Sequence, residues 1–240
     1  MRTALLALLL LFPATFAIAA PDFSLKDGTV TVRAEGKAVT ISEEDFMVTP
    51  VENSDLRYGG AGEDAAAELG IPMGLYLFDA SGRGVGYVET EEIEFSYTAQ
   101  LSPGGTVLAL DSGTWLVRSW SFFSYPDLKP LGEPISYYDS ENRPSLLWNG
   151  DNVVYFSSMS MDESERTCEY DPCGEVSVSR YDLAAGELST VMEGTPLCDY
   201  TLAGLADGQL SIEKLCLPAL EDWKTAPEGK PFDTVRVKAE

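Results

Sequence analysis

Residues 101–110, LSPGGTVLAL, predict the fold: a leucine, a tight polar turn that contains glycine, and then an apolar strand. The same order returns in three other stretches, Leu25-KDG-TVTV, Leu147-WNGD-NVVYF and Leu205-ADG-QLSIE. Each stretch is typical of a β-hairpin, because glycine accepts the positive φ that a tight turn needs. The repetition indicates an all-β repeat fold.

A second, longer hairpin signature accompanies these turns. It is found at Leu75-YLFDASGRGVGYVE, Phe122-FSYPDLKPLGEPI and Val178-SRYDLAAGELSTVME. The copies are about 47 to 56 residues apart, which is the spacing of propeller blades once an insertion is allowed.

The phrases LSPGGTVLAL and SRYDLAAGELSTVM resemble the TolB-type β-propeller repeat, in which a Ser-Pro-Asp-Gly hairpin precedes a strand-Asp-Gly-strand pair. The resemblance covers residues 75–217, with one close copy. It implies blades around an axis and a surface commonly used to bind proteins. It implies no binding residues, because the matched positions are turns and core strands.

Most of the remaining chain has the pattern of short strands separated by Gly, Pro, Asp and Asn. The predicted strands are Thr29–Arg33, Ala38–Ile41, Gly74–Phe78, Val85–Glu89, Thr106–Leu110, Trp115–Trp120, Val153–Ser157, Val176–Tyr181, Leu210–Leu215 and Thr234–Lys238. One short helix is predicted at Glu63–Leu69. The expected fold is therefore an all-β, small or irregular β-propeller of about four to five blades.

The amino terminus has the pattern of an export signal over residues 1–19. Arg2 precedes an apolar run from Ala4 to Phe12, and Ala17 and Ala19 place small residues at a signal peptidase site. The apolar run is shorter than the roughly 20 residues that span a bilayer. We expect a mature single domain over residues 20–240 in the bacterial periplasm or outside the cell.

The charge restricts the class of partner. Sixteen basic and 39 acidic residues give a formal net charge of −23. Such a field repels phosphate backbones, which excludes nucleic acid, and it disfavours anionic membranes. A basic protein partner or divalent cations fit this charge, and the alternative is that the acidity serves solubility alone.

Four cysteines in an exported chain favour disulfides, for which three connectivities are possible. We predict Cys168–Cys173, which closes a short loop, and Cys198–Cys216. Each cysteine of the second pair lies nine residues from Asp207, so folding at that turn places them opposite each other. A redox or zinc site is the alternative, although no C-x-x-C is present.

Several chemistries are excluded by composition. The chain has no histidine, which removes Ser-His and Cys-His mechanisms as well as histidine metal sites. The run Gly60-Ala61-Gly62 imitates a dinucleotide turn, but with no apolar strand expected before it, an acid-capped helix is preferred. The run from Gly82 to Gly86 is interpreted as a hairpin turn.

Aromatic side chains lie at strand-like positions, where packing between blades is preferred over stacking on sugars. They are Trp115, Trp120, Phe122, Tyr125, Tyr137, Tyr138 and Trp148.

The stretch Met161–Glu175, MDESERTCEYDPCGE, interrupts a predicted blade between two strands, and we call it the acidic insert. Only Arg166 opposes its acidic residues. We predict that it docks a partner through Asp162, Glu163, Glu165, Glu169 and Asp171. The alternatives are a solvated loop and a calcium site, for which the D-x-[DN]-x-[DN]-G order is missing.

The sequence thus predicts an exported, non-catalytic binding protein, with no catalytic residue, cofactor or metal ligand assigned. The rival is a secreted glycan-acting hydrolase that uses paired carboxylates on a propeller.

Overall fold

The computed structural model describes residues 20–34, 36–90, 96–113, 117–138, 146–159, 175–195, 197–216 and 233–239. Within them the chain is all-β with one helix. The strands form five consecutive antiparallel meanders, which we number units 1 to 5. Unit 1 consists of β1 Asp22–Lys26, β2 Thr29–Ala34 and β3 Lys37–Ser42. Unit 2 consists of β4 Thr49–Glu52, β5 Arg57–Ala61, α1 Glu63–Leu69, β6 Gly74–Phe78 and β7 Gly84–Val88; unit 3 consists of β8 Ser96–Leu101, β9 Val107–Gly113, β10 Val117–Ser124 and β11 Ile135–Tyr138. Unit 4 consists of β12 Leu147–Asn149, β13 Val153–Met159, β14 Val176–Asp182 and β15 Glu187–Met192; unit 5 consists of β16 Cys198–Ala206, β17 Gln209–Cys216 and β18 Asp233–Lys238.

Units 2 and 3 join into one eight-stranded sheet in the order β11-β10-β9-β8-β4-β5-β6-β7. The joint is the parallel pair β4 and β8, with Val51 opposite Ala99. All four predicted glycine hairpins are confirmed, at β1–β2, β8–β9, β12–β13 and β16–β17. Gly105 in the LSPGG turn has a φ of 70°, as expected of a tight turn.

The core is divided into four clusters in the described residues, and each cluster lies between two consecutive units. The alternation of a strand produces this arrangement, because successive side chains point to opposite faces. On β6, Tyr76 and Phe78 face unit 1 while Leu75 and Leu77 face unit 3. A strand buried on both faces is therefore apolar throughout, as GLYLF is.

Units 1 and 5 each contribute to one of these clusters, and none of the four is shared between them. On β17, Leu210 and Ile212 are buried, while Ser211 and Glu213 on the other face are half-buried. A polar outer face on a terminal unit is what allows a stack of repeats to end in water.

Two sequence interpretations need correction. A buried strand, β5, does precede Gly62 and runs directly into α1. The glycines of β5 are the reason that the sequence did not predict it as a strand. A Cβ on Gly59 would lie 2.7 Å from the Phe46 carbonyl oxygen, so glycine is there for close packing. Gly84 and Gly86 belong to β7, and the hairpin turn lies just before them, at residues 79–83.

The predicted helix Glu63–Leu69 is confirmed with the same bounds. Glu63 and Asp64 lie in its first turn, where acidic side chains favour the helix dipole. Gly70 ends it with a φ of 67°. Among the described residues, no helix has the length and apolarity needed to cross a membrane.

Candidate functional site

The strand order gives units 2 to 5 two different ends. The strands β4, β6, β8, β10, β12, β14 and β16 finish at one end, which we call the turn end, and β5, β7, β9, β11, β13, β15 and β17 finish at the other, the loop end. The turn-end connections are residues 53–56, 79–83, 102–106, 125–134, 150–152, 183–186 and 207–208; the described connection residues at the loop end are 62–73, 89–90, 146, 175, 193–195 and 197. Contacts between neighbouring units show that their ends coincide, since β4 and β8 run parallel and Gly104 of one turn contacts Asp151 of the next.

Carboxylates at the turn end are held by hydrogen bonds within their own turns. The Ser81 hydroxyl and the backbone N–H groups of Ser81 and Arg83 all donate to Asp79 Oδ1. At Asp182, the N–H groups of Ala184 and Ala185 donate to Oδ1 and Arg180 donates to Oδ2. These bonds favour the ionised form and lower the pKa of both carboxyls, chiefly through Ser81 for Asp79 and Ala185 for Asp182.

Asp151 binds two units together at the turn end. The Thr106 hydroxyl donates to its Oδ2 at 2.8 Å, and the Gly104 N–H donates to its Oδ1 at 2.6 Å. Both contacts lower the pKa of Asp151, with Thr106 the larger cause. A Cβ on Gly104 would lie 2.1 Å from Asp151 Oδ2, so glycine here allows the Asp151 carboxyl group to approach the LSPGG turn.

A cavity of about 260 Å³ lies at the turn end between units 1 and 2. It is lined by residues 25–28, residues 79–82, Glu43 and Arg57. Three of its charged groups are engaged, since Arg57 pairs with Glu43 and Asp79 accepts the turn hydrogen bonds described above. Lys26 and Asp27 also line the cavity.

The loop end has the opposite character where units 4 and 5 meet. Asp199 Oδ1 accepts a 2.9 Å hydrogen bond from the N–H of Val176, the first residue of β14. The preceding residue, Glu175, has a φ of 74°, and its N–H donates to the Thr195 carbonyl at 3.1 Å. Burial raises the pKa of Asp199 to about 6, and the nearby Glu175 charge adds to this rise against the Val176 hydrogen bond.

Tight backbone packing surrounds this pair of carboxylates. A Cβ on Gly194 would lie 2.3 Å from the Glu175 carbonyl carbon. Thr195 and Cys198 exchange two backbone hydrogen bonds of 2.9 and 3.0 Å. The end of the acidic insert, the β15–β16 connection and the start of β16 are therefore fixed against one another.

The predicted Cys198–Cys216 disulfide is confirmed and lies at this same point. The cysteines are direct partners in the β16–β17 register. The turn itself closes on Ala206 opposite Gln209, a register that would pair Cys198 with residue 217. An extra residue at Ala203, between the pairs of Leu202 and Gly204, shifts the register by one and brings the cysteines together.

A buried ion pair lies at the loop end of unit 3. Arg118 Nη2 is 2.7 Å from Asp111 Oδ2, and the Tyr137 hydroxyl donates to Asp111 Oδ1 at 2.9 Å. The Tyr137 ring stacks on Trp120, whose side chain is fully buried between units 3 and 4. Trp120, Phe122, Tyr137 and Trp148 thus pack between units as predicted, and the first three are too buried to stack on a sugar.

The two ends differ in their balance of charge. Among the described connection residues, the loop end has six acidic and no basic residues, whereas the turn end has six acidic and two basic ones. The described acidic residues at the loop end that are exposed are Glu63, Asp64, Glu68, Glu89, Glu193 and Asp233. The loop end is therefore the candidate binding surface.

The predicted docking residues Asp162, Glu163, Glu165, Glu169 and Asp171 lie outside the described residues, as do Cys168 and Cys173 and the export signal. In the part of the chain that is described, no three His, Cys, Asp or Glu side chains are grouped to hold a metal ion. Sequence reasoning missed Asp199 and Glu175, since 23 residues separate Asp199 from Val176 and only the packing of two units brings them together.

Comparison with known proteins assigns this chain to no family. No protein-family model and no curated protein matches the sequence. Solved structures similar to this chain include an oligogalacturonate lyase in complex with manganese, at 15% identity and a TM-score of 0.43 over 80% of this chain and 52% of that one. A prolyl endopeptidase is similar at 11% identity and a TM-score of 0.41, over 92% and 38%. A Pyrococcus horikoshii acylaminoacyl peptidase is similar at 10% identity and a TM-score of 0.40, over 93% and 32%. This chain spans about a third to a half of the length of these three.

Proposed function

We propose that this chain is an exported, non-catalytic binding protein whose loop end docks a basic protein partner in the periplasm or outside the cell. The observation that carries the proposal is the unequal charge of the two ends. Because opposite charges steer encounter, a surface with so many unopposed carboxylates selects a cationic partner and raises its association rate.

Export is supported by the signal pattern of residues 1–19 and by the Cys198–Cys216 disulfide, since disulfides persist in oxidising compartments. In this proposal the five units are the blades of an irregular propeller. The four-stranded meanders of units 2 to 4 and the parallel contact of β4 with β8 support that arrangement.

Glycan hydrolysis is the second candidate, and one observation favours it. Asp199 and Glu175 are neighbouring carboxyl groups, and a general acid needs a raised pKa such as that of Asp199. Binding is preferred because Asp199 is already engaged by Val176 and the described cavity lies at the opposite end. Release of reducing sugar from a glycan panel by the parent, and its loss in Asp199→Asn, would support hydrolysis instead.

The test is capture from an envelope extract on the immobilised mature chain at low and high salt. The decisive variant replaces Asp162, Glu163, Glu165, Glu169 and Asp171 by Asn or Gln and keeps both cysteines. A matched variant replaces five exposed turn-end acids, Asp55, Asp127, Glu133, Glu187 and Asp207. We expect a basic protein on the parent and the turn-end variant, weakened above about 0.15 M salt, where the screening length is about 8 Å. Equal capture by the parent and both variants would contradict the proposal, and thermal melting confirms that each is folded.

A further inference from the structure

The third strand of unit 5 differs from the third strands of units 2 to 4. In those units the third strands β6, β10 and β14 each lie between two other strands, because a fourth strand follows. All five residues of β6 are buried, and β10 and β14 have four buried residues each. In unit 5 the third strand, β18, pairs only with β17 in the described part of the chain, and none of its residues is buried. The position of a fourth strand is therefore unpaired at β18 within the described residues.

The backbone hydrogen bonds of β18 identify the groups that face outward at this edge. The Ala239 N–H donates to the Gly208 carbonyl at 2.8 Å, and these two residues continue the register of β17 and β18. Hydrogen-bonded pairs alternate along an antiparallel ladder, so the odd-numbered residues of β18 direct their N–H and C=O groups to β17 and the even-numbered ones direct them outward. The outward residues are Thr234, Arg236 and Lys238. Their backbone groups form the row that a further strand would pair with.

The side chains of β18 alternate between an apolar inner face and a cationic outer face. Val235 and Val237 are half-buried and lie opposite buried residues of β17 that face unit 4. Arg236 and Lys238 are exposed on the other face, and neither forms an ion pair with another described residue. No other described strand has two basic residues. A strand added at this edge meets apolar side chains on one face and two cations on the other.

We propose that the edge of β18 takes up an extended segment of a partner protein, which binds as the fourth, antiparallel strand of unit 5. Main-chain hydrogen bonds to the outward groups give such a strand its affinity, and its alternate side chains give specificity. The segment that fits has apolar residues on the face of Val235 and Val237 and acidic residues on the face of Arg236 and Lys238. The edge is separate from the loop end, so this inference does not rest on the docking proposed above.

A second copy of this chain fits the edge less well than an acidic segment. Two β18 strands paired antiparallel about a two-fold axis share their faces, so Arg236 and Lys238 of both copies would lie together on one face. Like charges on neighbouring strands are destabilising, whereas acidic side chains at those positions are attracted. The charge of the edge therefore selects a partner of opposite sign.

Hydrogen exchange on the full mature chain tests the edge with a synthetic hexapeptide of alternating glutamate and valine. The control peptide has the same composition, with its glutamates in one block and its valines in another. In the free chain, the amides of Thr234, Arg236 and Lys238 should exchange much faster than those of Val235 and Val237. The alternating peptide should protect the three outward amides about tenfold or more, and the block peptide should not.

Two results of this exchange experiment would overturn the proposal. Outward amides that are already protected in the free chain would mean that this chain or a second copy covers the edge, and sedimentation distinguishes those two occupants. Equal protection by the two peptides would mean that charge alone, and not strand addition, accounts for binding.

Variants separate the backbone of the edge from its charge. Thr234→Pro removes an outward N–H but no bond to β17 and no charge, so it should weaken binding of the alternating peptide about tenfold or more while the chain stays folded. Arg236→Gln with Lys238→Gln should weaken it about tenfold, whereas Lys26→Gln with Lys37→Gln, at exposed positions of unit 1, should leave it unchanged. Undiminished binding by Thr234→Pro, or equal weakening by the two charge variants, would contradict the proposal. If Thr234→Pro does not fold, the charge variants and the exchange of the parent decide.

Discussion

The turn end and the loop end are made by the same strands, yet the carboxyl groups compared at the two ends differ in the direction of their pKa shifts. At the turn end, Asp79, Asp151 and Asp182 accept hydrogen bonds that lower their pKa. At the loop end, Asp199 is half-buried beside Glu175 and its pKa is raised. Asp79, Asp151 and Asp182 thus fix turns and neighbouring units, whereas Asp199 lies at a packed contact with a like charge nearby. Uncompensated charge of that kind is expected where a surface serves binding rather than stability.

The largest stability effect is expected at the loop end, from replacing Cys198 and Cys216 together by serine. Opening a loop with a sequence separation of 18 should lower the free energy of unfolding by about 3 kcal/mol. Denaturant unfolding measures the loss. The matched change at Cys168 and Cys173 should have a smaller but measurable effect because the loop it would close is shorter, and no effect at all would argue against that pairing.

Gly194→Ala should destabilise by about 2–3 kcal/mol, because its new methyl group would collide with the Glu175 backbone rather than with a flexible side chain. Gly204→Ala is the control, since no atom lies within 4 Å of its Cβ position. Thermal unfolding of both variants checks the difference. Similar losses in both variants would mean that Gly194 is not tightly packed against the Glu175 backbone.

At the turn end, Asp151→Ala should lower the free energy of unfolding by about 1 kcal/mol, since it leaves the Gly104 N–H and Thr106 hydroxyl without their partner. Asp55→Ala, an exposed turn-end acid, should have almost no effect. If the two variants have the same melting temperature, the hydrogen bonds of Asp151 do not stabilise the contact between unit 3 and unit 4.

The smallest effects distinguish the ends by the sign of their pH dependence. The lowered pKa of Asp151 means that its contribution is present above the unfolded value of 3.8 and is lost as the pH falls through the folded value. Asp199 acts in the reverse sense, stabilising as the pH falls from about 6. The free energy of unfolding of the parent relative to Asp151→Asn should therefore fall as the pH is lowered. The free energy of unfolding of the parent relative to Asp199→Asn should instead rise. The same sign in both differences would remove the contrast between the ends.

Local chemistry made much of the turn end predictable. Asp27-Gly28 and Asp207-Gly208 both adopt the positive φ values that a two-residue hairpin turn requires, and these turns can be identified from neighbouring residues alone. Strand β5 was missed because Tyr58-Gly59-Gly60 has glycines for a close approach to Phe46, which precedes it by more than ten residues.

The loop end was predictable only in part. The Cys198–Cys216 pairing was right, but symmetry about Asp207 is an incomplete reason, because the turn register needs the bulge at Ala203 to align the cysteines. Gly204, beside Ala203, is the local signal of that bulge, because glycine inside a strand often marks one. Asp199 carries one weak signal, its position next to a bonded cysteine, and its pairing with Glu175 depends on how unit 5 packs on unit 4.

The most direct test of the proposed function is the association rate of the protein captured by the parent, measured on two variants with equal charge change. One replaces the loop-end acids Glu63, Asp64, Glu68, Glu89 and Glu193 by Gln or Asn, and the other replaces Asp55, Asp127, Glu133, Glu187 and Asp207. We predict that at low salt the loop-end variant binds about tenfold more slowly or worse, while the turn-end variant binds at nearly the parent rate. Equal slowing in both variants would show that net charge alone, and not the loop end, attracts the partner.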